Sequence, residues 1–157
     1  MADSSPLDRS YRRILAWIDL DQGGGEAVAR RALHLARMTQ AQLVLFHAIP
    51  PEHSVADGYP APSRASLKQS FESAALVRLK QIANWIGAAE AECHAVYGSS
   101  PAQSFETYAE QWAPDLVVAP ADSTCHIAEG RWDILALSGP TRSPRGHFAR
   151  LFDWAFA

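Results

Sequence analysis

The segment VYGSSPAQSFETYAEQWAPDLVVAPA, Val96 to Ala121, carries the strongest structural signals in the chain. Ser100 is a favourable helix N-cap and Pro101 suits the first helical position, so a helix is predicted to begin there. Its buried face is predicted from residues at helical spacing, namely Phe105, Tyr108, Ala109 and Trp112. Pro114 ends the helix, and the apolar run Asp115 to Ala121 is typical of a short buried strand.

Five upstream segments continue this alternation of strands and helices. Ile14 to Leu20 and Gln42 to Ile49 are apolar runs of strand length, and Ala91 to Gly98 alternates in side-chain character. Between them, Gly25 to Met38 and Ser66 to Ile86 repeat apolar residues at helical spacing. Strands that alternate with helices predict a parallel sheet covered by helices on both faces.

Length and composition limit the kinds of protein this chain can be. Its 157 residues suit one domain, predicted over 12–157 and preceded by a flexible N-terminus over 1–11. A net charge of -3 with no basic run disfavours nucleic acid and membrane surfaces as partners. No stretch approaches the roughly 18 apolar residues of a membrane span. Because the chain has only two cysteines, we expect a cytoplasmic protein.

Three stretches, in this order, resemble the universal stress protein family. They are YRRILAWIDLD from Tyr11, ALHLARMTQAQLVLFHAIP from Ala32, and the segment from Val96. The resemblance covers about residues 11–121. It implies a three-layer α/β sandwich with a parallel sheet of order 3-2-1-4-5, of the type that binds adenine nucleotides.

The resemblance also implies where a nucleotide such as ATP or AMP would bind. Asp19 corresponds to the family's contact to ribose and adenine, and Ala48 to its backbone contact to the base. The family holds the triphosphate with Gly-x2-Gly-x9-Gly-[Ser/Thr] after the fourth strand, because bare amides approach phosphate closely. From Ala121 onward this sequence has only Gly130, Gly139 and Gly146, none three residues apart. The nucleotide site is therefore predicted to be degenerate, without its phosphate cradle.

The C-terminal segment departs from the family in a second way. RGHFARLFDWAFA resembles the family's fourth helix, but no fifth strand follows it. The apolar run Ile134 to Leu137 is predicted to replace that strand at the sheet edge, near residues 133–138. The helix over 144–156 is expected to use part of its aromatic surface for a homodimer or another protein partner, through Phe148, Phe152, Trp154 and Phe156.

The run Gly23 to Gly25 is interpreted as a bend between strand and helix. It lacks the Gly-Lys-[Ser/Thr] of a P-loop, and Val28 stands where Gly-x-Gly-x-x-Gly needs its third glycine. Asp19, Asp21 and Glu26 would repel phosphate there. For Asp19 two hypotheses stay open with equal weight: a ligand contact at the end of the first strand, or a carboxylate that accepts backbone N–H groups in the turn.

The remaining cysteines and histidines suggest chemistry that the predicted sheet argues against. Cys93-His94 and Cys125-His126 invite a metal hypothesis, but the third and fourth strands would lie three places apart, about 14 Å. No metal site and no disulfide are therefore predicted. We expect His47, in an apolar strand, to bond a neighbouring backbone group. No arrangement typical of a catalytic nucleophile can be assembled.

These features favour a non-catalytic, stress-associated regulatory or accessory protein that acts through protein contacts and binds no ATP. The main alternative is a nucleotide-binding member of the family that holds an adenosine moiety with Asp19 and Ala48. A further alternative is a scaffold subunit of a larger complex, with the divergent C-terminal segment as its docking surface.

Overall fold

Strands and helices alternate along the chain in the computed structural model, which describes residues 10–21, 23–50, 61–98, 100–124, 127 and 131–138. The strands of this described part are β1 (Arg13–Trp17), β2 (Gln42–Ile49), β3 (Glu92–Tyr97), β4 (Leu116–Pro120) and β5 (Asp133–Leu137). Its helices are α1 (Gly25–Thr39), α2 (Ala61–Ile86), α3 (Pro101–Trp112) and the short α4 (Ala121–Thr124).

The described strands form one parallel sheet in the order β3-β2-β1-β4-β5. The order predicted from the family resemblance is thereby confirmed. The replacement fifth strand is confirmed as well, because Ile134 pairs with Val117 and Leu137 with Pro120. β5 thus reaches the sheet edge from a sequence position between β4 and the C-terminal segment.

Alternate side chains of β1 enter two separate cores. Ile14 and Ala16 face the layer of α1 and α2, while Leu15 and Trp17 face the layer of α3. All four are at most 5% exposed. Burial on both faces explains why β1 is a continuous apolar run and lacks the alternation of a half-exposed strand.

The core under α3 is built from aromatic rings around Phe105. This side chain is fully buried, and its ring stacks on Trp17 with centroids 4.5 Å apart. Phe46 and Trp132 meet the same ring edge-on, at 5.8 Å and 6.2 Å. Because these rings come from β1, β2 and the approach to β5, one helical residue anchors α3 across most of the sheet.

A helix cap sets the start of α3, and hydrogen bonds to a carboxylate set the start of β4. The Ser100 hydroxyl accepts from the Gln103 N–H at 3.4 Å with Pro101 at the first position, which confirms the predicted start of α3. The Asp115 carboxylate then accepts the backbone N–H groups of Arg12 and Arg13, at 2.7 Å and 2.9 Å. The start of β4 is thereby tied to the start of β1.

Two element boundaries differ by more than one residue from those predicted. β1 ends at Trp17, although the predicted strand continues to Leu20. Beyond Trp17, the Ile18 N–H still donates to the Phe46 carbonyl of β2 at 2.7 Å. α2 begins at Ala61, five residues before the predicted Ser66. Its extra turn contains Pro62, and proline is tolerated in a first helical turn because the N–H it lacks would be unpaired there.

We expect Phe105→Ala to lower the free energy of unfolding by about 3–5 kcal/mol, because it removes the ring on which Trp17, Phe46 and Trp132 pack. Urea denaturation followed by circular dichroism measures the change. Thr107→Ala, at an exposed position of the same helix, should alter stability by less than about 0.5 kcal/mol. Equal losses in the two variants would contradict this account of how α3 is anchored.

Candidate functional site

The candidate site lies at the carboxyl ends of β1 and β2, beside the change of direction in strand order. The chain moves from β1 through β2 to β3, and then returns to place β4 on the other side of β1. Open parallel sheets bind ligands outside the carboxyl ends of their strands at such a point. Asp19 follows the end of β1 by two residues, and Ala48 lies next to last in β2.

Ala48 contributes backbone to this edge, because its side chain is only 4% exposed and packs in the core under α3. The Phe46 carbonyl points toward β1, where it accepts the Ile18 N–H. Backbone groups two residues apart on a strand point the same way, so those of Ala48 point toward the side of β1 as well. β1 has ended there, and its continuation carries Asp19. The structure therefore brings Asp19 and the backbone of Ala48 to the same edge of the sheet. The space that β1 leaves beside the last residues of β2, with Asp19 on its other side, is the notch of the candidate site.

Asp19 has a structural role within this notch. Its Oδ1 accepts the backbone N–H of Asp21 at 2.9 Å, which closes the turn after β1. This bond is the one expected from the turn hypothesis, and carboxylates favour such positions because they mimic a backbone turn. The ligand hypothesis for the same carboxylate stays a prediction.

The glycine run next to Asp19 makes the predicted bend. Gly23 and Gly24 have φ of 77° and 79°, in the left-handed region that favours glycine, and Gly24 is the N-cap of α1. At Gly25, an added Cβ would lie 2.7 Å from Ile18 Cγ2 and 3.2 Å from the Asp19 carbonyl. The three glycines thus let α1 start against the end of β1.

His47 supports the turn after β1 through a hydrogen bond to its backbone. The residue is 4% exposed, and Nδ1 lies 2.8 Å from the Ile18 carbonyl oxygen, so Nδ1 carries the hydrogen and donates it. The predicted bond to a backbone group is confirmed. Nε2 faces the Asp21 carboxylate at 3.9 Å. Burial lowers the pKa of His47, while its backbone bond and the charges of Asp21 and Asp19 oppose that shift.

Arg78 on α2 is a supporting residue that the sequence did not single out. Its Nη2 donates to the Leu20 carbonyl at 2.8 Å, so α2 fixes the turn from the same face of the sheet as His47. An arginine on an amphipathic helix is normally solvent-exposed, and nothing in the local pattern marks this one as a partner of β1.

The segment after β4 differs from a glycine-lined phosphate loop. β4 ends at Pro120, which has no N–H, and α4 follows directly with Asp122 in its first turn. The Thr124 hydroxyl donates back to the Ala121 carbonyl at 2.7 Å, and the Ile127 N–H donates to the Thr124 carbonyl at 3.1 Å. The chain here bonds to itself in consecutive turns and carries a negative side chain.

Several predicted residues lie apart from this edge or outside the described residues. Cys93 is a half-buried free thiol on β3 whose pKa is raised by burial. Cys125 and His126, the other half of the metal hypothesis, are outside the described residues, as are Phe148, Phe152, Trp154 and Phe156. Among the residues that are described, no cluster has the three or more ligand side chains of a metal site. None of the described helices is long and apolar enough to cross a membrane.

We expect stability to fall as the pH drops through about 6.5, because His47 binds a proton more readily in the unfolded chain, where its pKa is normal, than in the fold, where burial lowers it. His47→Asn keeps a donor near the Ile18 carbonyl but cannot titrate, so it should flatten this pH dependence. Urea midpoints between about pH 5 and pH 8 measure the slopes.

His34→Asn is the matched control for this experiment, because His34 is exposed on α1 and the variant retains His47. It should keep the pH dependence of the unmodified chain. An unchanged slope in His47→Asn would show that another group causes the loss of stability in acid.

Three solved structures with a similar fold are those of universal stress proteins. The universal stress protein UspA from Lactobacillus plantarum is 20% identical, with a TM-score of 0.66 over 83% of this chain and 100% of its own. One in complex with cAMP is 19% identical, with a TM-score of 0.58 over 83% of this chain and 98% of its own. One from Archaeoglobus fulgidus in complex with dAMP is 16% identical, with a TM-score of 0.52 over 83% and 100%.

Similarity at these identities shows the fold alone, and no curated protein matches the sequence. Membership rests on a separate comparison, with the sequence pattern of whole families. The pattern described as the universal stress protein family matches residues 10–126, which is well over half of the chain and includes every strand but β5. The chain belongs to the universal stress protein family.

Proposed function

We propose that this protein is a non-catalytic regulatory or accessory member of the family, which acts through protein contacts and does not bind ATP. The observation that carries the proposal is the end of β4. Pro120, a short helical turn and Asp122 stand where the family's nucleotide-binding members place phosphate-binding glycines.

The charge at this edge argues against a triphosphate. Asp19 and Asp21 follow β1, and Asp122 follows the neighbouring β4. A triphosphate carries several negative charges and needs amides or cations to offset them. Arg78 reaches the turn, but its Nη2 donates to the Leu20 carbonyl. A triphosphate placed here would therefore meet repulsion without a cradle.

The chemistry of the described side chains supports a protein that is not an enzyme. His47 is the buried titratable group of the edge, but its Nδ1 is bound to the Ile18 carbonyl and burial lowers its pKa. Ser100 serves as the cap of α3. General base catalysis needs a base within hydrogen-bond reach of a nucleophile. His47 and Ser100 form no such pair, because each is already bonded to a backbone group.

A second candidate function is the binding of a nucleotide with a single phosphate. The notch between Asp19 and the Ala48 backbone favours it, because the two groups would contact ribose and base without any phosphate cradle. The cAMP and dAMP of the related structures carry one phosphate each. AMP, rather than ATP, is therefore the nucleotide that this notch suits better.

We expect ATP and ADP to leave the melting temperature of the full chain unchanged. A nucleotide with a Kd of about 50 µM, present at about 5 mM, would stabilise the fold by about 2.7 kcal/mol and raise the melting temperature by several degrees. Differential scanning fluorimetry over a range of nucleotide concentrations makes the comparison. A concentration-dependent rise with ATP would overturn the leading proposal.

AMP and cAMP in the same assay test the second candidate. If either raises the melting temperature, Asp19→Asn should remove most of that rise, because the neutral amide binds ribose hydroxyls less strongly than a carboxylate does. Glu90→Gln is the matched control, since Glu90 is exposed and precedes the amino end of β3, whereas the site lies at the carboxyl ends of the strands. An unchanged rise in Asp19→Asn would place the nucleotide elsewhere, and equal loss in both variants would show that the effect is not specific to Asp19.

A further inference from the structure

We propose that the open edge of β3, together with the groove between β3 and α3, binds an extended, basic peptide segment of a partner protein by strand addition. The proposal rests on the proposed function, because it names the surface and the kind of partner through which a protein without catalysis would act. It lies at the opposite side of β2 from the notch of Asp19 and β1.

The backbone of β3 is available for pairing on one side. Within the described part of the chain, β3 is the last strand of the sheet and pairs only with β2. The Tyr97 N–H donates to Glu72 Oε1 at 3.1 Å, so it points away from β2. Residues two apart on a strand point their backbone groups to the same side, which directs those of Cys93 and Ala95 outward too. Such a row of donors and acceptors is a template for another strand.

A groove beside this edge can receive the side chains of the added strand. A cavity of about 340 Å³ lies between β3 and α3. Val96 and the Tyr108 ring supply its apolar part, and Gln103, Thr107 and Gln111 form its polar wall at successive turns of α3. Burial raises the pKa of Tyr108 to about 12, so its hydroxyl remains a hydrogen-bond donor. A strand added at Ala95 would place alternate side chains in this groove.

The charges around the groove select a basic segment. The charged side chains of β3 and α3 are all acidic apart from the titratable His94: Glu92, Glu106 and Glu110. Glu110 is paired with Arg131, whereas Glu92 is 70% exposed and lies 3.7 Å from His94. His94 in turn contacts Tyr108 in the groove, with ring centroids 4.9 Å apart. Lys80 of α2 lies near Cys93 on the other side of the edge, so the acidic charge is confined to the side that faces α3. Lysine or arginine side chains that point toward α3 from an added strand would therefore find carboxylates at the groove.

A second copy of this chain fits the edge less well than a basic peptide does. Pairing of β3 with its counterpart in another copy would bring two acidic grooves side by side. The chain as a whole has a net charge of -3, so two copies also repel each other at longer range. The partner inferred here is therefore a different protein with an exposed segment rich in lysine or arginine.

The test uses the full chain and three fluorescein-labelled peptides of seven residues. One alternates valine with lysine, the second alternates valine with glutamate, and the third is the lysine peptide with alternate backbone nitrogens methylated. Fluorescence anisotropy gives each Kd, and amide chemical shifts of isotope-labelled protein locate the contact. We expect the lysine peptide to bind and to shift the amides of Cys93 and Ala95, and the other two to bind at least about fivefold more weakly.

Variants of the protein separate the edge from the groove. Ala95→Pro removes an outward N–H and leaves the side facing β2 intact, as proline does on edge strands, and should weaken the lysine peptide about fivefold. The double variant Gln103→Lys with Gln111→Lys makes the groove basic and should weaken it by at least as much. Its matched control is Gln69→Lys with Gln81→Lys, at exposed positions of α2, which should bind as the unmodified chain does.

The outcomes discriminate between the occupants. If Ala95→Pro fails to fold, the two double variants still decide the matter. Equal Kd values for the lysine peptide and its methylated form would show that binding depends on charge alone, which would overturn strand addition. The absence of amide shifts on β3 would overturn it as well. A dimer in sedimentation that Ala95→Pro converts to a monomer would overturn the peptide in favour of a second copy. Binding of ATP would overturn the proposed function while leaving these peptide results unchanged.

Discussion

The burial of β1 on both faces is the constraint on which the remaining structure depends. As the middle strand, it carries β2 on one side and β4 on the other, and its side chains enter both cores. The Asp115 carboxylate aligns β4 with it at the amino end, and the Ile18 N–H extends its pairing with β2 at the other. Since β1 stops before β2 does, the notch of the candidate site is a direct result of that difference in length.

The sequence predicted the elements whose signals are local. Ser100 and Pro101 marked the start of α3, and the apolar run at Ile134 marked a strand that the family places elsewhere in its sequence. The contacts that position the site were not predictable in this way. Arg78 bonds the Leu20 carbonyl across 58 residues, and Glu72 bonds the Tyr97 N–H across 25, so neither leaves a periodic pattern. Such contacts depend on how helices dock on the sheet, and docking is a property of the whole fold.

The turn after β1 shows how a family's ligand residue can persist with a structural role. Asp19 caps the turn through Asp21, His47 donates to the Ile18 carbonyl, and the glycines let α1 begin within contact of Ile18. Each of these interactions stabilises the fold whether or not a nucleotide binds. The carboxylate at this position therefore has a role in the fold that needs no ligand, and its presence alone is a poor guide to function.

The bond between Glu72 and the Tyr97 N–H also limits what the exposed edge can become. Aggregates of the cross-β type grow when long, regular edges stack repeatedly, and natural proteins interrupt such edges with charges or irregular contacts. Here a carboxylate occupies the last outward donor of β3 and places a negative charge beside it. The outward N–H groups of Cys93 and Ala95 remain available for pairing. Glu72 thereby shortens the edge that another strand could extend, whether that strand belongs to a partner or to a second copy.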